Sequence, residues 1–465
     1  MSVERSERFY RERSLWLAGL PGAVTARASL GGDAAYDVAV VGAGFTGLWS
    51  AYYLKRSQPD LRVVVLEREI AGFGPSGRNG GWVSGGIAGS WRVYAERAGA
   101  GATLRAERAT WDAVDEVGAV AAAEGIECGY RKAGTIAVAT SGPQVARLTA
   151  DVEMARSRGV GSADLRVLDP TEREGLVHVH GARYATYSPH CARIDPARMV
   201  RGLADACERL GVVIHEQTPV HQISRGRLRC AGGTVSAAHV LVTTESYTVQ
   251  QPGQRLRFLP LYSLMIATEP LPERIWEQLG WRDGLTIRDR RHLFFYAQRT
   301  TDDRIAIGGR GAPYRLNKPI DEACERNLQV RARLEATVRR EFPAAADAVI
   351  THHWGGPLAV PRDWSMGVSY DRVTGMGWAA GYSGHGVVAA NVSGRTLADL
   401  VLGRDSDLVT LPWVGHRARN WEPEPLRYMA STAIVKMLAS CDRYEDRTDR
   451  VARRQRLLAP VMPPV

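Results

Sequence analysis

The first clear hydrophobic pattern along the chain is Tyr36 to Val41, apolar except for Asp37, and it predicts a strand. Phe45 to Arg56 follows with helical spacing, and Leu61 to Leu66 predicts a second strand, interrupted by Arg62 and closed by Glu67. Strands that stay apolar through their centres, joined by a helix, are the mark of a parallel sheet covered on both faces. Helices are expected over about Ser90–Glu124, Gln144–Arg158 and Pro196–Leu210, the last behind Asp195 as N-cap. Strands are expected at Thr135–Ala139 and Val212–Glu216, and the alternation from Val220 to Thr244 predicts a small antiparallel sheet. Residues 256–310 read as strand-rich and aromatic, and a helix is expected from Glu322 to Arg340. A final strand and turn at Gly377–Gly381 leads to a closing helix, Val387–Leu402. Residues 1–35 read as irregular or partly helical, and the tail carries Trp413, Trp421 and a helix near Leu426–Leu438.

Composition narrows the picture. At 465 residues the chain is too long for one ordinary core, and 45% apolar with 24% charged residues is a globular balance. No apolar run approaches the roughly 18 residues that span a bilayer. Met1 to Leu20 mixes Glu4, Arg5, Glu7 and Arg8 with Trp16 and has no signal-peptide core, so no membrane association and a cytoplasmic address are expected. The six cysteines are scattered and support neither a disulfide framework nor a zinc site. His178 and His180 could share a strand face, but no third ligand is readable nearby and no metal is expected. The net charge of +10 is nearly all arginine, because Lys55, Lys132, Lys318 and Lys436 are the only lysines. Many arginines alternate with acids, as in Asp442 to Arg450, which describes solvated faces rather than a nucleic-acid stripe.

Candidate chemistry begins at Gly42-Ala43-Gly44-Phe45-Thr46-Gly47, a GxGxxG between the first strand and the first helix. Gly42 permits the tight turn, Gly44 lets a pyrophosphate approach the helix N-terminus, and Gly47 permits helix–strand packing. Glu67, 20 residues beyond Gly47, stands where a carboxylate meets a ribose diol. That unit serves NAD and FAD alike. The next segment, Gly72-Phe73-Gly74-Pro75-Ser76-Gly77-Arg78-Asn79-Gly80-Gly81-Trp82, is a loop whose backbone N–H groups can line a phosphate and a flat ring.

These motifs, taken with Gly381-Tyr382-Ser383-Gly384-His385-Gly386-Val387, resemble the D-amino acid oxidase family of flavoproteins, which includes glycine, sarcosine and γ-glutamylputrescine oxidases. The Gly72–Gly81 loop is most similar to the γ-glutamylputrescine oxidase branch, with Pro75 in place of alanine. The resemblance implies an α/β (α+β mixed) fold: a Rossmann-like FAD-binding domain from 36–90, 165–250 and 345–404, with an interleaved antiparallel-sheet substrate domain from 91–164 and 251–344. A lead-in (1–35) and a C-terminal extension (405–465) complete the expected partition. It implies that Gly42 to Gly47, Glu67, Arg68 and the loop through Gly74, Ser76, Gly77, Arg78, Asn79, Gly80, Gly81 and Trp82 hold FAD. Val220 would meet the adenine, Thr243 and Thr244 would follow the returning strand, and Gly381, Tyr382, Gly384, His385, Gly386 and Val387 would wrap the flavin. Glu245 stands where the family has a small or amide residue. His352-His353-Trp354 replaces the region that carries a cysteine in members with covalent flavin, so non-covalent FAD is expected. Ala306 stands where sarcosine-oxidase-like members place a lysine that promotes reaction with oxygen.

The activity implied is oxidation of an amine or amino acid at its C–N bond to an imine, which is then hydrolysed, with O2 reoxidising the flavin and releasing H2O2. A dehydrogenase, a monooxygenase-like enzyme and a non-catalytic binding module are the alternatives. His385, His353, Tyr262 and Tyr296 are the candidate catalytic residues, with Trp354 and Phe295 beside them, and Arg78, Arg193 or Arg310 could grip a carboxylate or phosphonate.

Overall fold

The first sheet grows from the βαβ unit. The structure, a computed structural model, describes residues 5–312, 315–318 and 320–458. Ala34–Val41 pairs in parallel with Val63–Leu66 on one side and Gly233–Val242 on the other, with Val41 opposite both Leu66 and Val242. The full order is Val220–Ser224, Arg227–Cys230, Gly233–Val242, Ala34–Val41, Val63–Leu66, Val213–His215; Met376–Ala380 joins the carboxyl half of Gly233–Val242 and carries Gly367–Asp371 at its edge. The central strands therefore end together, which in an open α/β sheet is where the ligand crevice forms. Helices Phe45–Ser57, Ala100–Ala123, Pro196–Arg209 and Gly386–Leu402 bury one face in a common core of Leu48, Val114, Leu203 and Val392. Asp195 caps Pro196–Arg209 as expected, accepting from the N–H groups of Ala197 and Arg198 at 3.0 Å.

The second sheet is mixed, in the order Ile350–Val360, Leu259–Thr268, Ile305–Ala312, Phe295–Arg299, Thr286–Asp289, Thr135–Ala139, Tyr184–Ser188, Arg166–Val167. Its strands alternate cleanly. Ile266, Ile287, Phe295, Ala297 and Ile307 pack against helix Leu328–Glu341 and its neighbours, while the intervening residues face the other way. Trp82–Ser84, Cys191–Arg193 and Arg131–Lys132 form a small sheet of their own.

Several elements differ from their sequence expectation. The helix expected over Ser90–Glu124 is two helices, Trp91–Ala98 and Ala100–Ala123, broken at Gly99 with φ 85, and both pack into the core of the first sheet. Tyr184–Ser188 and Ile350–Val360, expected with the first sheet, belong to the second. The helix expected from Glu322 begins at Leu328, because Asn327 accepts from the N–H groups of Gln329 and Val330 and caps there. Helix Glu273–Leu279 was not expected among the strands of 256–310. The tail helix runs Leu426–Thr448, past Leu438, because Cys441, Asp442 and Glu445 are buried.

That tail docks on the chain itself. Trp421 Nε1 donates to the Val360 carbonyl at 2.7 Å, and the buried Arg427 guanidinium donates to the carbonyls of Arg255 and Phe258. Among the described residues no helix is long and apolar enough to cross a membrane. All six cysteines are buried and unpaired.

Candidate active site

The crevice at the carboxyl ends of the first sheet opens into one cavity of about 1510 Å³ that continues along the second sheet. At its sheet end, Gly42 turns with φ 104. A Cβ at Gly47 would lie 2.0 Å from the Gly42 carbonyl oxygen, so only glycine lets the helix start so close to the strand. Gly47 shapes the turn from behind; Gly42, Ala43, Gly44, Phe45 and Thr46 line the cavity. Thr243 stitches the turn to its neighbour strand, its Oγ1 donating to the Val41 carbonyl at 2.9 Å. Glu67 lines the cavity and accepts from the N–H groups of Ala43 (2.8 Å) and Glu69 (3.0 Å). Burial pushes its carboxyl above the ordinary range. Arg68, Val220, Thr243 and Thr244 line the same end.

The loop after the second strand is held largely by its own side chains. Ser76 Oγ accepts from Phe45 N–H at 2.9 Å, tying the loop to the first turn of the helix. Asn79 donates to the carbonyl of Ser76 and accepts from the Gly81 N–H, both at 2.8 Å. Gly74, Ser76, Asn79, Gly80 and Trp82 line the cavity, whereas Gly77 and Gly81 form the turn behind it. Arg78 also lines it, but its side chain is wholly buried and committed. It pairs with Glu325 at 2.8 Å and donates to the Gly355 carbonyl and the Tyr247 hydroxyl. It is a structural post of the loop, not a free grip for substrate. Arg193, the second candidate grip, lies off the cavity and pairs with Asp283; the side chain of Arg310 lies outside the described residues.

The C-terminal turn closes the crevice from the other side. Tyr382, Gly384, His385, Gly386 and Val387 line the cavity, with Gly381 (φ 91) behind them. Helix Gly386–Leu402 starts here, so its positive end faces inward. Tyr382 shares a 2.8 Å hydrogen bond with Thr46, joining the two turns. Glu245, the residue out of family pattern, sits half-buried beside them and also lines the cavity. Its carboxylate accepts from the N–H groups of Ala359 (2.8 Å), Tyr382 (3.1 Å) and Gly381 (3.2 Å). Burial pushes its pKa up to about 7 against the pull of those donors.

Strand parity sorts the remaining candidates. On Leu259–Thr268, Ser263 and Met265 face the cavity while Tyr262 points into the opposite core, its hydroxyl bonded to the backbone of Asp321. On Phe295–Arg299, Tyr296 lines the cavity, sharing a 2.8 Å hydrogen bond with Ser263 and meeting Trp82 edge-on at 6.0 Å, while Phe295 is core. His353 pairs in register with core-facing Ile266 and lies off the cavity, where burial and the nearby Arg331 and Arg326 push its pKa down to about 4. Trp354 is buried edge-on to Trp16, its indole donating to the Arg78 carbonyl. Ala306 lies in the same apolar cluster. Of the four candidate catalytic residues, His385 and Tyr296 reach the cavity; Tyr262 and His353 do not.

Sequence reasoning missed much of the far wall. Arg288, Glu107 and Trp111 line it, Trp111 stacked on His190 at 4.4 Å. Among the described residues, His292, Asp442 and Glu445 cluster closely. They are engaged in docking the tail: Asp442 accepts from the N–H groups of His292 and Leu293 at 2.9 Å, and Glu445 pairs with Arg147. His178 is bonded to the Gln278 carbonyl.

Comparison with known proteins agrees with this arrangement. The match to the family described as DAO, FAD dependent oxidoreductase, extends over residues 37–400. The chain is 29% identical over 375 residues to the γ-glutamylputrescine oxidoreductase of Escherichia coli, covering 79% of this chain and 84% of that one. It is 26% identical over 386 residues to a probable oxidoreductase OrdL of Haemophilus influenzae, with coverage of 80% and 84%. Glycine oxidase from Geobacillus kaustophilus superposes with a TM-score of 0.67 at 20% identity, over 83% of this chain and 99% of that one, and shares the fold. With the match spanning both sheets and all three glycine-rich segments, the chain belongs to the DAO family of FAD dependent oxidoreductases.

Proposed function

We propose that the protein oxidises an amine or amino acid at its C–N bond to an imine, which water hydrolyses, with two electrons passing to O2 to give H2O2. The first sheet serves as the FAD-binding unit and the second supplies the substrate wall. The observation that carries this reading is the single cavity joining a dinucleotide cradle to the face that holds Tyr296 and Ser263.

The residues present fit FAD. The glycine turn leaves no room for a Cβ, with one at Gly44 only 2.9 Å from Ser76 Oγ. The volume exceeds the roughly 300–1,000 Å³ typical of one small-molecule site, leaving space for cofactor and substrate together. Gly42 to Thr46 would face the pyrophosphate, Glu67 a ribose, Val220 the adenine, and the Gly72–Trp82 loop with the Gly384–Val387 turn the flavin. When bound, the flavin supplies the two-electron acceptor.

The chain's own residues orient the amine and hold it neutral. The N-terminus of helix Gly386–Leu402 disfavours a second positive charge nearby and stabilises a developing anion. His385 at that terminus and Tyr296 on the facing strand are the groups in reach of the reacting end. No cysteine lines the cavity among the described residues, which supports non-covalent binding. Oxygen consumption and peroxide release measured with the purified protein and a panel of primary and secondary amines test the proposal. Peroxide formed in proportion to amine consumed supports it. Turnover with a dye acceptor but none with O2 would make the enzyme a dehydrogenase.

A further inference from the structure

One stretch of the cavity wall has no part in the proposed chemistry. Met376, Trp378 and Ala380 alternate onto the face of the first sheet turned away from its helices, beside Val41 and Val242, and all five line the cavity. Arg257 closes this stretch. Its guanidinium lies 4.5 Å from the Trp378 ring centroid and 5.6 Å from that of Phe258, and the residue is only 8% exposed. It forms no ion pair among the described residues, and its Nη1 is buried without an acceptor. Other cavity arginines are committed: Arg68 donates to Gln250, Arg78 pairs with Glu325, and Arg290 binds Asp151. Arg288 is also unpaired among the described residues, but no second free cation stands beside it, since Arg290 is taken. Arg257 does have one. Arg417, exposed at the cavity rim, forms no ion pair among the described residues and acts directly on the Arg257 charge. Asp363, whose charge supports that of Arg257, is bonded to His416 at 2.8 Å and accepts from the Ser365 N–H at 3.0 Å. Burial and Arg417 together push the Arg257 pKa down to about 10. Two neighbouring guanidiniums, one of them sheltered, carry a cost that a bound anion relieves.

Register separates this place from the glycine turn. Trp378 is directly opposite Val242, and Val242 is opposite Val41. Trp378 therefore stands two strands, roughly 10 Å at about 4.8 Å per strand, from the residue that leads into Gly42. A pyrophosphate seated on that turn does not reach Arg257. A carboxylate, with one charge, leaves one of the two cations unmatched. A phosphate monoester carries about −1.5 to −2 at pH 7 and offers three acceptor oxygens, which suits two guanidiniums. The apolar row of Val41, Val242 and Met376 can take the body of such an ester, and Gln254, one turn before Arg257, adds an amide to the wall.

We infer that Arg257 and Arg417 form a binding site for a phosphate monoester, separate from the cofactor cradle and from the substrate wall. The test is calorimetric titration of the FAD-loaded protein with AMP and glucose 6-phosphate, with adenosine and succinate as controls. A phosphate monoester is expected to bind at one site per chain, at least tenfold more tightly than either control. AMP ahead of glucose 6-phosphate makes the ligand a nucleotide, and the reverse makes it a sugar phosphate. Equal affinity makes the phosphoryl group the whole of what is recognised. Binding should weaken at least tenfold in Arg257→Met and at least threefold in Arg417→Ala, and Arg257→Lys should recover part of the loss. FAD content and melting temperature establish that each variant is folded. If R257M does not fold, R417A, at an exposed position, decides alone. No saturable binding, succinate bound as tightly as the phosphates, or affinity unchanged in folded R257M or in R417A would each overturn the inference. A folded R257M that retains FAD at least tenfold more weakly would also overturn it, because Arg257 would then belong to the cofactor.

Discussion

Glu245 offers a sharp test of how the flavin-facing turn is built. Its carboxylate gathers three backbone N–H groups, two from the turn at Gly381–Tyr382 and one from Ala359 on the second sheet. Replacing it with alanine leaves all three without their acceptor at the edge of the cavity. Each buried donor left unpaired costs about 1–3 kcal/mol. Relief of a buried charge, whose pKa already stands near 7, returns part of that. The net local loss expected is about 3–5 kcal/mol. Unfolding of a chain this size need not be two-state, so the direct assay is amide hydrogen exchange of the segment 379–387 and of Ala359. In Glu245→Ala these amides should exchange at least a hundredfold faster, and FAD affinity should fall with them. The pH sign is also fixed. A carboxyl raised from 4.5 to about 7 contributes stability that is complete below 4.5 and is lost as pH climbs to about 7. That slope should vanish in Glu245→Gln. Wild-type exchange rates in the alanine variant would refute the assignment of Glu245 as the clamp of this turn.

Three further outcomes are expected. Arg78→Met leaves Glu325 with Arg13 alone, 3.6 Å away, and frees the Tyr247 hydroxyl, so FAD retention should fall at least tenfold and the melting temperature should drop, read by absorbance and thermal melts. Gly47→Ala drives a methyl to 2.0 Å from the Gly42 carbonyl, so the purified variant should be folded but nearly colourless, with FAD retention lowered at least tenfold. His353, depressed to about 4 by burial and two arginines, contributes stability present above its ordinary 6.5 and lost as pH falls from 6.5 to about 4. His353→Gln should therefore show a shallower acid limb in thermal melts between those values.

What could be read from the sequence was local. Gly42 to Gly47, Glu67 and the Gly72–Trp82 loop are short motifs, and Gly44, Gly47 and Gly77 answer constraints set within them, by Ser76, Gly42 and Gly72, so strand, turn and helix could be placed from sequence. The substrate wall is different, because a side chain's face depends on parity and register. Tyr262 and Ser263 are adjacent, yet only Ser263 reaches the cavity. Arg288 sits among four charged residues in a row, and nothing local distinguishes the unpaired one. Its isolation arises because Asp151, on a helix far back in the chain, takes Arg290. Trp111 and His190 meet across 79 residues, invisible to any periodicity. The break at Gly99 and the late helix start behind Asn327 were legible in residue type, since both obey ordinary helix-end chemistry.

The most direct test of the central claim is an anaerobic titration of the purified protein, followed in the visible band between about 350 and 550 nm. The account predicts a yellow protein whose absorbance bleaches on addition of an amine and returns when air is admitted. A protein that stays colourless after incubation with FAD, or a yellow one that no amine bleaches, would contradict it.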